Sequence, residues 1–326
     1  MKKRVLSGMQ PSGRMHLGNL FGALNNWKKL QEEYDAYFFI ADWHALSTHY
    51  TETGKIREYT REMLIDWLAV GMDPEKSTLF QQSQVSEHAV LHVLLSMITP
   101  VPWLERNPTY KEQQQELADR DLATFGFLGY PVLQAADILI YKAQFVPVGQ
   151  DQLPHLELTR EIARRFNTLY GTVLVEPAAL LTETPKILGI DRRKMSKSYG
   201  NAIYLSDSAD ETGKTVQKMI TDPLKIKKAD PGRPEICNVF TYHTIFSSKD
   251  EVQQIDRDCR SGALGCVDCK ARMAKNLNSY LAPIRASRAE LSKKPKKLDA
   301  ILEEGSAKAR QVAQKTLEEV KEAMKI

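Results

Sequence analysis

A chain of 326 residues, 42% hydrophobic and 26% charged, has the composition of a soluble globular protein and the length for one large and one smaller domain. "MKKR" is followed by "VLSGMQPSG" rather than an apolar run, and the most apolar stretch, His92–Ile98, is too short to cross a bilayer; secreted and membrane classes are excluded, and a cytoplasmic protein is expected. The net charge of +4 is uneven, because residues 206–326 carry 23 Lys and Arg against 18 Asp and Glu, which suits an anionic partner such as RNA and equally a solvated helical surface.

Arg4–Gly8 reads as a buried strand running into the turn-rich "MQPSGRMH". Leu17, Leu20, Phe21, Leu24 and Trp27 then fall on one face of a helix. Ala36–Ala41 is the next strand and Ile56–Val70 the next helix, closed by Gly71 and Pro74. Ser77–Gln82 and a helix over His88–Ile98 repeat the unit. Beyond "FGFLGYP" come a helix over Val132–Lys142, a strand over Gln144–Val148 and a helix over Leu153–Phe166. This alternation predicts an α/β fold, a parallel sheet with helices on both faces. From about Ser206 the strand signal ends. Thr215–Ile220, Glu251–Arg257, Ala271–Leu291 and Leu298–Met324 read as helices broken by "DPGRP" and "KKPKK". The expected division is an α/β domain over 1–205 and an all-helical domain over 206–326.

Two stretches carry chemistry. "GMQPSGRMHLGN" (Gly8–Asn19) is a Gly-rich loop between a first strand and a first helix, where free N–H groups meet phosphate; it is neither G-x-G-x-x-G nor a G-K-[ST] loop. His16 at the helix start can donate to a phosphate oxygen, Asn19 adds an amide, and Gly18 lets a flat ring approach the backbone. "DRRKMSKSYGN" (Asp191–Asn201) puts Lys194 and Lys197 in a polar loop with Met195, Ser196, Ser198 and Gly200. Two ammonium groups on such a loop can close over a departing polyphosphate.

Four cysteines, Cys237, Cys259, Cys266 and Cys269, occupy one short region in the spacing C-x₂₁-C-x₆-C-x₂-C. In a reducing compartment that clustering points to a metal rather than to disulfides. A Cys₄ zinc site, an iron–sulfur cluster and unligated buried thiols all remain open.

H-x-G-N after the first strand, with K-M-S-K-S at the end of the α/β half, resembles the paired signatures of class I aminoacyl-tRNA synthetases. Over nearly its whole length the chain resembles bacterial tryptophanyl-tRNA synthetases, in "SGMQPSG", "ADWHALS", "YPVLQAADILIY", "VPVGQDQLPHLELTREIARRFN" and "KMSKS". The resemblance implies a Rossmann-type catalytic domain with an inserted segment, a helical anticodon-binding domain and a homodimer. It implies the partners ATP with Mg²⁺, L-tryptophan and tRNA, and a reaction that makes tryptophanyl-adenylate and pyrophosphate before acyl transfer to the tRNA 3′ end.

By the same resemblance His16, Asn19, Lys194 and Lys197 are the catalytic set. Gln10, Ser12, Gly18, Asp151, Lys111, Met195 and Ser196 join them around ATP. Tryptophan is assigned to Leu6, Gly8, Gln10, His44, Tyr130, Gln134, Asp137, Ile138, Val146, Val148 and Gln152. Asp137 lies one helical turn from Gln134 and two from Tyr130, so the three line one face. A lone carboxylate on the apolar helix "AADILI" wants a donor, and in the family the matching Asp accepts the indole N–H. A common bacterial tryptophanyl pattern has Met where Gln134 stands. Tyr-x₃-Gln-x₂-Asp resembles the phenol-binding helix of archaeal-type tyrosyl enzymes, so tyrosine is the alternative substrate. A subset of the bacterial tryptophanyl enzymes carries a [4Fe–4S] cluster at a closely similar four-cysteine spacing, with "GCVDCK" and an upstream "YH" in common, and zinc is the alternative. Outside the family, the rivals are a small-molecule adenylyltransferase and a cluster-bearing RNA-binding regulator with an inactive nucleotide site.

Overall fold

Five strands, β1 (Arg4–Met9), β2 (Asp35–Ile40), β3 (Ser77–Gln81), β4 (Phe145–Val148) and β5 (Ala178–Leu181), form one parallel sheet in the order β3-β2-β1-β4-β5. The computed structural model describes residues 2–108, 122–181, 187–197 and 199–326. Lys111 and Ser198, both singled out in the sequence, lie outside the described residues.

The strands are short apolar runs because helices cover both faces of the sheet. Side chains along them alternate between two cores. Val5, Phe38 and Ile40 enter one, and Leu6, Tyr37 and Phe39 enter the other. Strand order reverses between β1 and β4, so the crevice at their carboxyl ends is where a ligand meets an open α/β sheet.

Helices α1 (Leu17–Asn19) and α2 (Asn25–Glu33) are joined by a π-helical segment, Leu20–Leu24. Then follow α3 (Asp42–His49), α4 (Ile56–Ala69), α5 (Glu87–Ser96), α6 (Val101–Glu105), α7 (Phe125–Leu139) and α8 (Leu153–Tyr170). Helix α7 starts seven residues earlier than the sequence suggests and runs through Pro131. Thr124 caps it by accepting the Phe127 N–H at 3.2 Å, and burial of Phe127, Tyr130, Pro131 and Val132 outweighs the missing proline donor. The short strand β5 and helices α3 and α6 carry too little periodicity to be read from sequence.

The C-terminal part comprises α9 (Ala209–Gln217), α10 (Asn238–Phe246), α11 (Lys249–Ser261), α12 (Cys266–Ser292) and α13 (Pro295–Met324). Ser208 and Glu211 form a capping box that starts α9 six residues before the expected position. Periodicity predicted the helices but not their partners. Leu298 and Leu302 of α13 join the first core, and Ala309, Ala313, Leu317 and Val320 join the second. Helix α13 therefore wraps the β3 edge of the sheet. Gly305 makes this possible, since a Cβ there would lie 1.8 Å from the Leu79 carbonyl oxygen. Ser306 Oγ accepts the Gln81 N–H at 3.4 Å, which helps cover the open edge.

Candidate active site

The loop after β1 is shaped by its own side chains. His16 is the N-cap of α1: its Nδ1 accepts the Asn19 N–H at 3.3 Å, and Asn19 Oδ1 accepts the His16 N–H at 3.0 Å. H-x-G-N is thus a reciprocal cap as well as a ligand-facing motif. With Nδ1 accepting, the imidazole proton is on Nε2. Burial, then the Lys197 charge, pushes the His16 pKa down to about 4, so the ring is a neutral donor at pH 7.

The second loop docks directly on the first. Met195 is buried, and its Sδ accepts the Gly18 N–H at 3.4 Å. A Cβ on Gly18 would lie 2.9 Å from the His16 ring and 3.4 Å from Met195 Cβ, so the glycine makes room for both rather than for a ligand ring alone. Lys197 Nζ donates to Ser12 Oγ at 3.3 Å. Burial pulls the Lys197 pKa down to about 8, against the opposing pull of Asp66. Asn201 holds the loop in shape: its Oδ1 accepts the Ser196 N–H at 2.8 Å, and its Nδ2 donates to Asp191 Oδ1 at 2.8 Å and to the Lys194 carbonyl at 3.1 Å. Gly189 gives it space, since a Cβ there would be 2.2 Å from Asn201 Nδ2. Lys194 is exposed. His16, Asn19, Ser12, Gly18, Met195, Ser196 and Lys197 therefore form one cluster. Asp151 stands at the start of α8, where Gln152 Nε2 donates to its Oδ2 at 3.1 Å.

Beside this cluster, at the β1–β4 switch, lies a cavity of about 340 Å³. Every residue assigned to tryptophan by resemblance lines it. Leu6, Gly8 and Gln10 come from β1 and its end, His44 from α3, and Tyr130, Gln134, Asp137 and Ile138 from α7. Val146 and Val148 come from β4, and Gln152 from the following turn. The π segment turns Gly22 and Ala23 into the same wall. Gly8 also has a structural reason to be glycine, because a Cβ would strike the Phe39 ring at 2.4 Å.

Asp137 is not the lone carboxylate its helix suggests. It is 1% exposed and already has three donor residues. His88 Nδ1 meets Oδ1 at 2.6 Å, His44 Nε2 meets Oδ2 at 2.7 Å, and Gln82 Nε2 reaches both oxygens at 2.8 and 3.0 Å. Behind it, His88 Nε2 accepts from the Tyr141 hydroxyl at 2.6 Å. Burial alone would raise the Asp137 pKa; the His44 charge and the hydrogen bonds from His44 and His88 overcome it and hold it at about 2. The carboxylate is an anion at pH 7. A second relay backs the cavity: Asn107 Nδ2 donates to His155 Nδ1 at 3.2 Å, and His155 Nε2 meets the Tyr130 hydroxyl at 3.1 Å. Burial pushes the His155 pKa down to about 4, so it too is neutral. Sequence reasoning missed Gln82, His88, Tyr141 and His155. The only available signal was a buried-type His in the apolar run of α5.

The four cysteines are free thiols. Cys237 caps α10, Cys259 is in α11, and Cys266 and Cys269 open α12. Burial, followed by the charges of Cys237, Cys259 and Cys266, pushes the Cys269 thiol up to about 12, so all four sulfurs are mutual electrostatic neighbours. Cys269 Sγ is also 3.6 Å from His243 Nε2. Among the described residues no group of three or more His, Cys, Asp or Glu side chains stands close enough to share one metal ion. Among the same residues no helix is long and apolar enough to cross a membrane.

Residues 1–282 match the family described as class I tRNA synthetases (W and Y). The chain is 54% identical to the tryptophan–tRNA ligase of Thermotoga maritima, with 99% of each chain covered. It is 49% identical to that of Aquifex aeolicus, over 99% of this chain and 100% of the relative. Its structure is similar to the crystal structure of the Campylobacter jejuni tryptophanyl-tRNA synthetase complexed with ADP and tryptophan. The TM-score is 0.92 at 34% identity, over 99% of this chain and 100% of that one.

Proposed function

The chain belongs to the class I tRNA synthetases of the tryptophan and tyrosine family and is a tryptophan–tRNA ligase, and from that premise we propose how its site residues divide the work. The cavity at the β1–β4 switch takes the amino acid, and the docked loops take ATP. One observation carries the reading: an apolar cavity ends on the buried anion Asp137 and lies beside the His16–Lys197 cluster.

The indole packs on Val146, Val148 and Ile138, and its N–H donates to Asp137. Asp137 keeps its protein donors when an analogue with no N–H binds, so phenylalanine is disfavoured by the charge-assisted bond it forgoes rather than by an unpaired carboxylate. Gln10 and Gln152 face the reacting end. The tryptophan carboxylate attacks the α-phosphorus of ATP, forming the acyl-phosphate bond as the bond to pyrophosphate breaks. No protein nucleophile or base is needed, so catalysis is positioning plus charge stabilisation. Neutral His16 donates through Nε2, Asn19 fixes the His16 ring and the loop through their reciprocal cap, and Lys194 and Lys197 receive the charge that develops on pyrophosphate. Mg²⁺ accompanies the ATP. Acyl transfer to the tRNA 3′ end follows.

Residues 206–326 are proposed as the anticodon-binding part, supported by their basic excess. A homodimer is supported by the exposed apolar side chains of Val90 and Val93 on α5 and of Met97 just past its end, together with those of Val101 and Phe125. A cytoplasmic site of action follows from the substrates. The four cysteines are proposed to hold a [4Fe–4S] cluster. The support is the four-cysteine spacing with thiols that perturb one another's ionisation, and zinc is the alternative occupant. Its place at the start of α12, away from the cavity, makes it structural.

Tryptophan-dependent ATP–pyrophosphate exchange and tRNA charging test the assignment. Lys194→Ala and Lys197→Ala should slow exchange far more than they weaken tryptophan binding; equal losses would count against their role. Protein that stays colourless and takes up neither iron nor sulfide on anaerobic reconstitution would remove the cluster.

A further inference from the structure

The two oxygens of Asp137 face different surroundings. Oδ1 accepts from His88 Nδ1 at 2.6 Å and from Gln82 Nε2 at 2.8 Å, and both of those side chains are fully buried and stand outside the cavity wall. Oδ2 accepts from His44 Nε2 at 2.7 Å, with Gln82 at a longer 3.0 Å. Of these three donors, His44 is the one that lines the cavity. A carboxylate offers about four lone-pair sites over its two oxygens. Counting Gln82 at its shorter bond, three are taken, and the fourth is on Oδ2, beside His44.

This division depends on which nitrogen of His88 carries the proton. A bare Nδ1 would turn its lone pair toward Oδ1 at 2.6 Å. The Tyr141 hydroxyl decides it: at 2.6 Å from His88 Nε2 it donates to that nitrogen, so the ring proton is on Nδ1 and points at the carboxylate. Tyr141, just past the end of α7, is fully buried. The Phe80 ring lies 5.4 Å from that of Tyr141 and 6.1 Å from that of His88, and the Phe39 ring lies 6.1 Å from His88. Neither phenylalanine has an acceptor to draw the hydroxyl proton away from Nε2.

We propose that Tyr141 and His88 are positioning residues for Asp137, which hold Oδ1 from behind so that Oδ2 is presented to the ligand, and that they thereby set the preference for a side chain with an N–H donor. Without the Tyr141 hydroxyl, Nε2 is a buried nitrogen with no donor, and the ring recovers water or a new partner only by turning or by changing tautomer. Either change weakens the bond to Oδ1. The carboxylate then turns about its Cβ–Cγ bond, and the indole loses a fixed acceptor. Neither Tyr141 nor His88 lines the cavity or belongs to the nucleotide loops, so the effect falls on amino-acid selection and leaves ATP binding as it is.

This role presupposes the proposed contact between the indole N–H and Asp137, and the test keeps the two apart. The probes are tryptophan and 3-benzothienylalanine, in which sulfur replaces the N–H, each taken through ATP–pyrophosphate exchange in the full chain. Their shape and packing are shared, so the ratio of their kcat/KM values reads the N–H···Asp137 bond. Tyr141→Phe should lower that ratio about three- to tenfold, through the tryptophan value. The benzothienylalanine value and the ATP KM should stay within about twofold of the unmodified protein. Equal losses on both substrates, as a merely structural role would give, or an unchanged ratio, overturn the positioning role alone. A ratio that Asp137→Asn leaves unchanged overturns the indole contact itself, and this role with it. If Tyr141→Phe does not fold, His88→Asn and His88→Leu carry the test. The amide nitrogen of the first can stand in for Nδ1 and should keep the ratio within about twofold, whereas the second should lower it. The same ratio in both would overturn the role of His88.

Discussion

Replacing Asp137 with Asn tests the amino-acid site most directly, since it keeps the shape and removes the charge. Asp137 accepts from His44, His88 and Gln82 at 2.6–3.0 Å with 1% of its surface exposed. The amide has one acceptor oxygen, so three buried donors compete for it and at least one goes unpaired, a cost of about 1–3 kcal/mol. The carboxyl's fall from about 3.9 unfolded to about 2 folded is worth a further 2–3 kcal/mol or so, and the two overlap because they describe the same bonds. That stabilisation is complete above the unfolded pKa and is lost as pH falls toward 2. A loss of about 2–4 kcal/mol lowers the melting temperature but leaves the chain folded at 25 °C. For the substrate, an indole N–H facing an amide instead of an anion forfeits about 1.5–3 kcal/mol, or roughly 10- to 150-fold in kcat/KM. The assay is pyrophosphate exchange with tryptophan, tyrosine and phenylalanine in parallel. The tryptophan value should fall toward that of phenylalanine. Discrimination between the two that survives Asp137→Asn would refute the assignment.

Lys197 carries a pH prediction. Burial lowers its pKa to about 8, so the ammonium is present below that pH and is lost above it. The kcat/KM for ATP should fall as pH rises through about 8, and Lys197→Arg, which stays charged, should abolish that limb. Gly305→Ala forces a methyl against the Leu79 carbonyl and should destabilise the chain by about 1–3 kcal/mol in thermal melts. Gly213→Ala, also in a helix but with open space around the added carbon, should be neutral or stabilising by up to about 1 kcal/mol. Gly189→Ala displaces Asn201 and should lower the exchange kcat about tenfold with the tryptophan KM near normal, a split measured by steady-state kinetics.

What the sequence made legible was local. "HLGN" and "KMSKS" are recognisable because the bonds that shape each of them mostly lie within one turn or loop, so their spacing survives in the linear order. The cavity lining was legible through resemblance, and the structure gathers those residues around one space. The partners of Asp137 were not legible. His44, Gln82 and His88 lie 93, 55 and 49 positions away, and only the closure of the sheet brings them to one carboxylate. An isolated Asp in an apolar helix signals that donors are needed, but not which ones. A buried ion pair, Arg288 with Asp66, is hidden in the same way, 222 positions apart, within helices that read as ordinary amphipathic surface.

The C-terminal half shows how helices can be predicted while their role in the fold is missed. Periodicity over Leu298–Met324 gives a helix with one apolar stripe and suggests a unit of its own. The residues that matter for docking are small rather than apolar. Gly305, Ser306, Ala309 and Ala313 occupy successive turns of one face, a pattern that permits backbone approach more than it signals burial. That face lies on β3, with Leu302 entering one core before it and Leu317 the other after it. Without α13, β3 would be an open edge with unpaired N–H and C=O groups, and both cores would lose part of their wall. The last helix is thus part of what closes the α/β half.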